Sequence, residues 1–360
     1  MSIYEMFNMV TPTVKNQTAA GNTSSKFIES EFRYTLFPIF YGVVFVLGLA
    51  ANCYALYVLH KMRDSRAMSE IRIYMTNLTI ADLLFVSALP FWIGYYANNG
   101  DWKYSDVVCR ITGSFFFINT YCSVFFLAII SINRYWVVTR PLMAASSDCW
   151  KRGAIISAGV WGITLSASIK YLIVPGLQED REAAKNRCFE GYNKTDDMRY
   201  TVSTTHFLII GMFFVVFLIV ILCNISIART LLSQPISQPR ASTGKRPDGT
   251  KRRALKMLFA VVGVFVICFL PHHVVQGPWV LSVLGLREKE WSINIHQLIN
   301  DAHQITLMLM GLNCILDPLV YCFATTKFRK YIQGHFKKVK NKKNCSRQTL
   351  STAMSPKSSI

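Results

Sequence analysis

The stretch HFLIIGMFFVVFLIVILCNI, residues 206–225, runs for 20 positions without one Asp, Glu, Lys or Arg. At about 1.5 Å per residue, a helix of that length covers the roughly 30 Å hydrocarbon core of a bilayer. Its apolar character is continuous rather than alternating, and a helix satisfies every backbone N–H and C=O without a neighbouring segment. The helical reading extends from Tyr200 to Leu232, and six comparable runs flank it: Leu36 to Leu59, Ile71 to Tyr96, Val107 to Val138, Gly153 to Val174, Ala254 to Leu284 and Ile293 to Phe323. A soluble chain of 360 residues with 52% hydrophobic content would need two globular domains whose apolar runs are broken into short amphipathic pieces. These runs are unbroken. The expected fold is an all-α membrane protein, a seven-transmembrane helix bundle over residues 36–323, with a polar segment 1–35 before it and a tail 324–360 after it.

Lys and Arg orient the bundle. Assigning alternate loops to one side gathers 26 of the 39 basic residues there, the tail included. The other side holds the remainder, largely balanced by acids such as Glu179, Asp180, Glu182, Asp196 and Asp197. The positive-inside rule then makes the tail cytoplasmic and the amino terminus extracellular at the plasma membrane. The net charge of +19 sits mostly in short loops and the tail beside the spans, so anionic membrane lipid and a cytoplasmic protein are its expected partners, not nucleic acid. The first 35 residues lack an apolar core of the signal-peptide kind, which leaves the first span to act as its own insertion signal.

Of ten cysteines, only Cys109 and Cys188 fall clearly on the oxidising side, which predicts a disulfide between them. Cys345, in the Lys-rich tail, is a palmitoylation candidate or a free thiol. The sequons at Asn16, Asn22 and Asn193 lie outside and can accept glycans, whereas those at Asn77 and Asn224 lie in spans and that at Asn344 in the tail.

Asp82 stands in the middle of the second span, where an ionised carboxylate is costly unless it faces a partner or a cavity. Its prospective company is Asn52, Asn119, Ser123, Asn313 and Asp317, with Asn119/Ser123 and Asn313/Asp317 each sharing a helix face at i, i+4. Two carboxylates among neutral oxygens suit a sodium ion, with Asp82 as its ligand, or a shared proton. An inert hydrogen-bond network joining helices is the plainer alternative. No other cofactor is expected.

Further motifs sit at span ends: Asn133-Arg134-Tyr135 closes the third span, Asp317-Pro318-Leu319-Val320-Tyr321 the seventh, and Pro271 within Cys268-Phe269-Leu270-Pro271 must kink the sixth. Together with Asn52, Asp82, Trp161 and the Cys109/Cys188 pair, in this order and spacing, they resemble the rhodopsin-like family of G-protein-coupled receptors over essentially the whole chain. The resemblance implies that Arg134 engages the G protein, that Phe269 is a toggle beside the ligand pocket, and that Asp317 to Tyr321 rearrange on activation. It also implies a short amphipathic eighth helix from Lys327-Phe328-Arg329-Lys330, for which a solvated basic tail is the alternative. The chain departs from the family pattern at Asn133 for an acid, Phe269 for tryptophan, Asp317 for asparagine, Val216 for proline and Asn224 for tyrosine. With no acid beside Arg134 in the chain and Lys251 at the base of the sixth span, elevated basal signalling is expected, to be lowered by Asn133→Asp.

The outer halves of spans five to seven carry His206, His272, His273, Gln276, His303 and Gln304. Imidazoles and amides offer hydrogen bonds to an anion without a fixed strong charge. Trp92, Tyr95, Phe116, Phe117, Tyr121 and Trp279 could present aromatic faces to a quaternary ammonium. Residue types alone give an amphiphile or an anion as ligand. The segments Glu31 to Pro38, Phe116 to Val124, Pro271 to Gln276 and Ile299 to Gln304 resemble the lipid-mediator branch of the family, which implies an acetylated ether phosphocholine lipid agonist and signalling through Gq and Gi proteins to phospholipase C and calcium. By that resemblance His206, His272, His273, Gln276 and Gln304 contact the polar head, and Trp92, Phe116 and Phe117 line the rest. A nucleotide or another lipid mediator is the alternative ligand.

An enzyme is not expected, since no zinc-spaced His/Glu pair or Gly-x-Ser-x-Gly is present. A membrane transporter would show paired repeats or interrupted helices. Residues Ser233 to Thr250 read as a flexible loop, and Ser and Thr in the tail can be phosphorylated by receptor kinases and so recruit arrestin.

Overall fold

The computed structural model describes residues 30–61, 70–139, 149–180, 183–190, 196–233, 247–285, 291–324, 328–329 and 331–335. Among them are seven helices long and apolar enough to cross a membrane. The first five are α1 (Phe32–Lys61), α2 (Glu70–Ala97), α3 (Asp106–Thr139), α4 (Cys149–Ile173) and α5 (Asp196–Ser233). The sixth span joins α6 (Pro247–Val264), a π-helical turn (Phe265–Phe269) and α7 (Leu270–Val283), and the seventh joins α8 (Ile293–Met310) to α9 (Asn313–Ala324). All seven expected spans are present. Several run further than the apolar runs that marked them, because polar residues at a span's end continue the same backbone ladder.

The bundle turns its apolar surface outward. Leu208, Phe259 and Ile155 are each about 70% exposed, on a chain with many other bare aliphatic side chains. Such a surface belongs against hydrocarbon, because in water it would be an aggregation site. The interior is threaded by α3, in which residues 117–128 are all buried except Phe125.

Both distal spans are interrupted near the middle. Pro271 has no N–H to donate and its ring crowds the carbonyl of Ile267, so the helix ahead of it widens, and the Leu270 N–H reaches back five residues to the Phe265 carbonyl. The kink expected at Pro271 is therefore accommodated by a π turn. In the seventh span, the Gly311 and Leu312 amides make the tighter three-residue bonds to Met308 and Leu309, which separates α8 from α9.

A β-hairpin lies between α4 and α5. β1 (Leu177–Asp180) and β2 (Lys185–Cys188) pair antiparallel, Leu177 opposite Cys188 and Asp180 opposite Lys185, an addition to the all-helical expectation. The expected Cys109–Cys188 disulfide fastens β2 to α3. The Trp102 amide donates to the Asn186 carbonyl at 2.8 Å, and Asp101 accepts from the Asn186 amide at 3.1 Å. The Lys103 ammonium beside Asp101 holds that carboxyl below the usual carboxylate range.

At the opposite end, Phe328 is buried edge-on to Tyr321, and His335 stacks beside Tyr54, their polar atoms 3.1 Å apart. Residues 328–329 and 331–335 are helical, compatible with the expected eighth helix. Asn16, Asn22, Asn193, Lys327, Lys330 and Cys345 lie outside the described residues, as does most of the segment from Ser233 to Thr250. The end of that segment is helical, because α6 begins at Pro247, a residue preorganised for a helix's first turn.

Candidate ligand cavity

A cavity of about 330 Å³ lies at the hairpin end of the bundle, bounded by α2, α3, α5, the sixth and seventh spans and the residues just after β2. Of the sequence-predicted ligand residues it is lined by His206, His272, Gln276, Gln304, Trp92, Phe116 and Phe117, and also by Tyr121, Trp279 and His303. His273 lies elsewhere. Its ring stacks on Phe213 at 3.8 Å, and its Nδ1 meets the Phe269 carbonyl at 2.8 Å, which fixes a proton on that nitrogen. Consecutive helical residues point about 100° apart, and with α7 in this rotation His272 lines the cavity while His273 turns toward Phe213 of α5. Tyr95 also lies outside the lining, packed against Trp92, Tyr96 and Trp102.

The polar wall is assembled across helices. The Gln276 amide donates to His206 Nδ1 at 2.8 Å and so joins α7 to α5. His303 stacks on Trp279 at 3.8 Å, and the Trp279 indole donates to Asn300 at 3.1 Å, joining α7 to α8. Asn300 donates to Ser30, which in turn hydrogen-bonds Asp301. The carbonyl of Gln276 and Nδ1 of His303 are buried with no hydrogen-bond partner among the described residues, so this wall keeps unused polar capacity.

Two residues not singled out by the sequence complete the other side. Glu190, two positions past the disulfide, lines the cavity and receives both terminal nitrogens of Arg33, at 2.8 and 2.9 Å. This bidentate pair ties the start of α1 to the hairpin. The signal available in the sequence was only that Arg33 stands three residues before the first apolar run.

Below the cavity, the predicted midplane set comes together. Asn119 donates to Asp82 at 2.8 Å, and Asn313 donates to Asn119 at 3.2 Å and to Ser123 at 3.0 Å. Asn52 donates to the Cys314 and Gly48 carbonyls, and Thr79 to the Tyr321 hydroxyl. Asp82 and Asp317 are fully buried. The second oxygen of Asp82 and both oxygens of Asp317 have no hydrogen-bond partner among the described residues. Phe269 is wholly buried beneath the cavity, outside its lining, edge-on to Phe265.

At the far end the structure supplies an acid that the sequence reading did not find. Asn133 donates to Glu70 of α2 at 2.5 Å, and Arg152 of α4 forms an ion pair with the same carboxylate. Arg134 and Tyr135 are half-buried on the same turn of α3.

A seven-span bundle, a cavity roofed by a disulfide-tied hairpin, a buried carboxylate pair and a proline-widened sixth span define a membrane receptor of the rhodopsin kind. The family model for the 7 transmembrane receptor (rhodopsin family) matches residues 32–321, and the chain belongs to that family. Its similar relatives include the platelet-activating factor receptor of Homo sapiens, 45% identical over 91% of this chain and 93% of that protein, and that of Rattus norvegicus, 46% identical over 90% and 92%. Lysophosphatidic acid receptor 4 of Homo sapiens is 33% identical over 91% of this chain and 84% of its own length. These relatives are receptors and not enzymes, and the chain is a multi-pass membrane receptor like them.

Proposed function

We propose that this chain is a receptor for platelet-activating factor, an acetylated ether phosphocholine lipid, and that it signals through Gq-type and Gi-type proteins to phospholipase C and calcium. The observation that carries the reading is the two-sided cavity. Imidazoles and amides line one side and aromatic faces the other, in a chain about 45% identical to receptors named for that lipid. In this reading the polar head meets His206, His272, Gln276 and Gln304, and Trp92, Phe116 and Phe117 enclose the remainder. His273 supports the wall from behind rather than touching the agonist.

The orientation in this reading puts the hairpin end outside and the basic end in the cytoplasm. Glycans then sit on Asn16, Asn22 and Asn193, and a palmitoyl chain on Cys345. An agonist held between α5 and α7 acts beside the π turn, where the helical ladder of the sixth span is already interrupted. Movement there exposes Asn133, Arg134 and Tyr135, with Pro318 and Tyr321 rearranging behind them, to the G protein. Receptor kinases and arrestin act afterwards on the tail. Asp82, Asn119, Ser123, Asn313 and Asp317 would hold a sodium ion, because their hard oxygens and the unpartnered carboxylate atoms suit such a cation. Bound there, it supplies positive charge between two buried acids.

The relative named for lysophosphatidic acid supports a second reading, another lipid mediator or a nucleotide. The described residues of the cavity lining include no Lys or Arg, which disfavours a ligand whose recognition rests on a multiply charged phosphate. Intracellular calcium in cells expressing the chain distinguishes the two. A response to the acetylated lipid but not to its deacetylated form is expected. Silence, with surface expression confirmed, would overturn the ligand and leave the receptor class standing.

A further inference from the structure

The cavity's charge is unevenly placed, and the acid in its described lining stands beside aromatic rings. Among the described residues that line the cavity, Glu190 is the only carboxylate, and none is a Lys or Arg. Its partner Arg33 is nearly inaccessible, with 3% of its side chain exposed against 19% for Glu190, and Arg33 does not line the cavity. The ion pair therefore presents its negative end inward.

Glu190 is held on the side of α1 to α3, by Arg33 and by the disulfide two residues before it. Trp92 and Tyr96 of α2 line the cavity on that same side. The hydrogen-bonding wall, formed by His206 and Gln276 among others, belongs to α5 and the last two spans. A carboxylate among aromatic faces suits a cation that cannot donate a hydrogen bond, because the attraction needs no directed donor. The same carboxylate repels a phosphate, which is better placed against the imidazoles and amides opposite.

We infer that Glu190 sets the direction of a zwitterionic ligand, drawing its quaternary ammonium to the α2 and hairpin side so that its phosphate meets the His206/Gln276 wall. This rests on the phosphocholine reading above and adds to it the residue that recognises the cation. Arg33 screens the charge of Glu190 and touches no ligand, and the disulfide two residues before Glu190 keeps the carboxylate at the cavity without it.

The experiment compares two agonists on each receptor: the acetylated ether phosphocholine lipid, and its analogue in which the trimethylammonium is replaced by an uncharged tert-butyl group of the same shape. The ratio of their potencies in a calcium assay is read, because it does not depend on how much receptor reaches the surface. On the wild-type chain the charged lipid is expected to be about tenfold or more stronger. Glu190→Gln should weaken the charged lipid until the two are within about threefold, with the uncharged analogue little changed. Glu190→Asp, which keeps the charge, should retain most of the ratio. Arg33→Gln frees the carboxylate of its counter-ion and should widen the ratio, and this variant decides the matter alone if Glu190→Gln fails to reach the surface. Equal loss of both lipids in Glu190→Gln would mean that Glu190 only braces the hairpin, and the inference falls. An unchanged or collapsed ratio in Arg33→Gln overturns it as well. Silence of the wild-type chain toward both lipids would instead overturn the phosphocholine reading itself, and so is distinguishable from failure of the inference.

Discussion

The bundle holds two sets of buried polar residues, and they are built on opposite rules. The wall made by His206, Gln276, His303 and Trp279 carries no carboxylate, Lys or Arg, borders the cavity, and keeps unpartnered polar atoms at Gln276 and His303. The set around Asp82 and Asp317 is acidic, wholly buried, and lies away from that cavity. A wall of that kind can exchange partners with an entering ligand at little electrostatic cost. A carboxylate pair in a hydrocarbon-bounded interior demands a cation or a proton. The difference assigns ligand recognition to the first and a charge-sensitive restraint to the second.

The hairpin is what gives the upper set a roof, so the largest effect should come from cutting its tether. Cys109→Ala or Cys188→Ala is expected to abolish specific binding of labelled agonist and most surface expression. Loss of a structural disulfide costs about 2–5 kcal/mol, and here it also releases Glu190 from its place. Retained binding in a chain lacking the disulfide would show that Arg33 and the strand pairing suffice to hold the roof.

The carboxylate set should respond next. Asp82→Asn and Asp317→Asn each remove one of two like charges, and each is expected to reduce by about tenfold the effect of sodium on agonist affinity, a coupling of the size usual between sites. Radioligand binding with sodium against a large organic cation measures it. If sodium has no effect on the wild-type chain, the two acids share a proton or serve as helix glue. The cavity wall, by contrast, should show no sodium dependence of its own: Gln276→Ala is expected to weaken agonist by roughly tenfold, equally in both salts. His273→Ala should chiefly lower thermal stability in detergent, because its ring packs on Phe213 and does not line the cavity.

What could be read from the sequence follows the same division. A 20-residue apolar run states its own length and its need for internal hydrogen bonds, so all seven spans were legible, and so was Asp82 as a charge out of place. Cys109 and Cys188 were legible through compartment. The hairpin was not: its strands read LQED and KNRC, too short and too polar to carry a periodic signal. Nor was the true start of α6, although Pro247 is a helix-opening residue that pointed to it. His273 was grouped with His272 by residue type, and which of the two reaches the cavity depends on the rotation of α7, which the sequence does not state. Glu190 and Glu70 were missed because their partners, Arg33 and Asn133, stand 157 and 63 residues away, and only the fold makes them neighbours.

Glu70 supplies the smallest effect and the sharpest revision. Asn133 in place of an acid led to an expectation of high basal signalling. The structure nonetheless places a carboxylate beside it, contributed by α2 and shared with Arg152 of α4. Glu70 is buried, whereas Arg152 is largely exposed at 44%, so the ion pair itself contributes little, and the bond to Asn133 ties α2 to α3 at this end of the bundle, as Asn119 and Asp82 do at the midplane. If this contact restrains the resting bundle, Glu70→Gln should raise ligand-free signalling by about twofold, since the glutamine amide can still accept a hydrogen bond from Asn133 and only the charge-assisted part of the contact is lost. Asn133→Asp then has the opposite consequence to the one the sequence suggested. It would set two carboxylates against each other at hydrogen-bond distance, loosen α2 from α3, and raise basal activity rather than lower it. Inositol phosphate accumulation without agonist, in cells matched for surface receptor, reads both variants. A fall with Asn133→Asp would restore the first expectation, and a rise with both would make Glu70 the acid that the third span lacks.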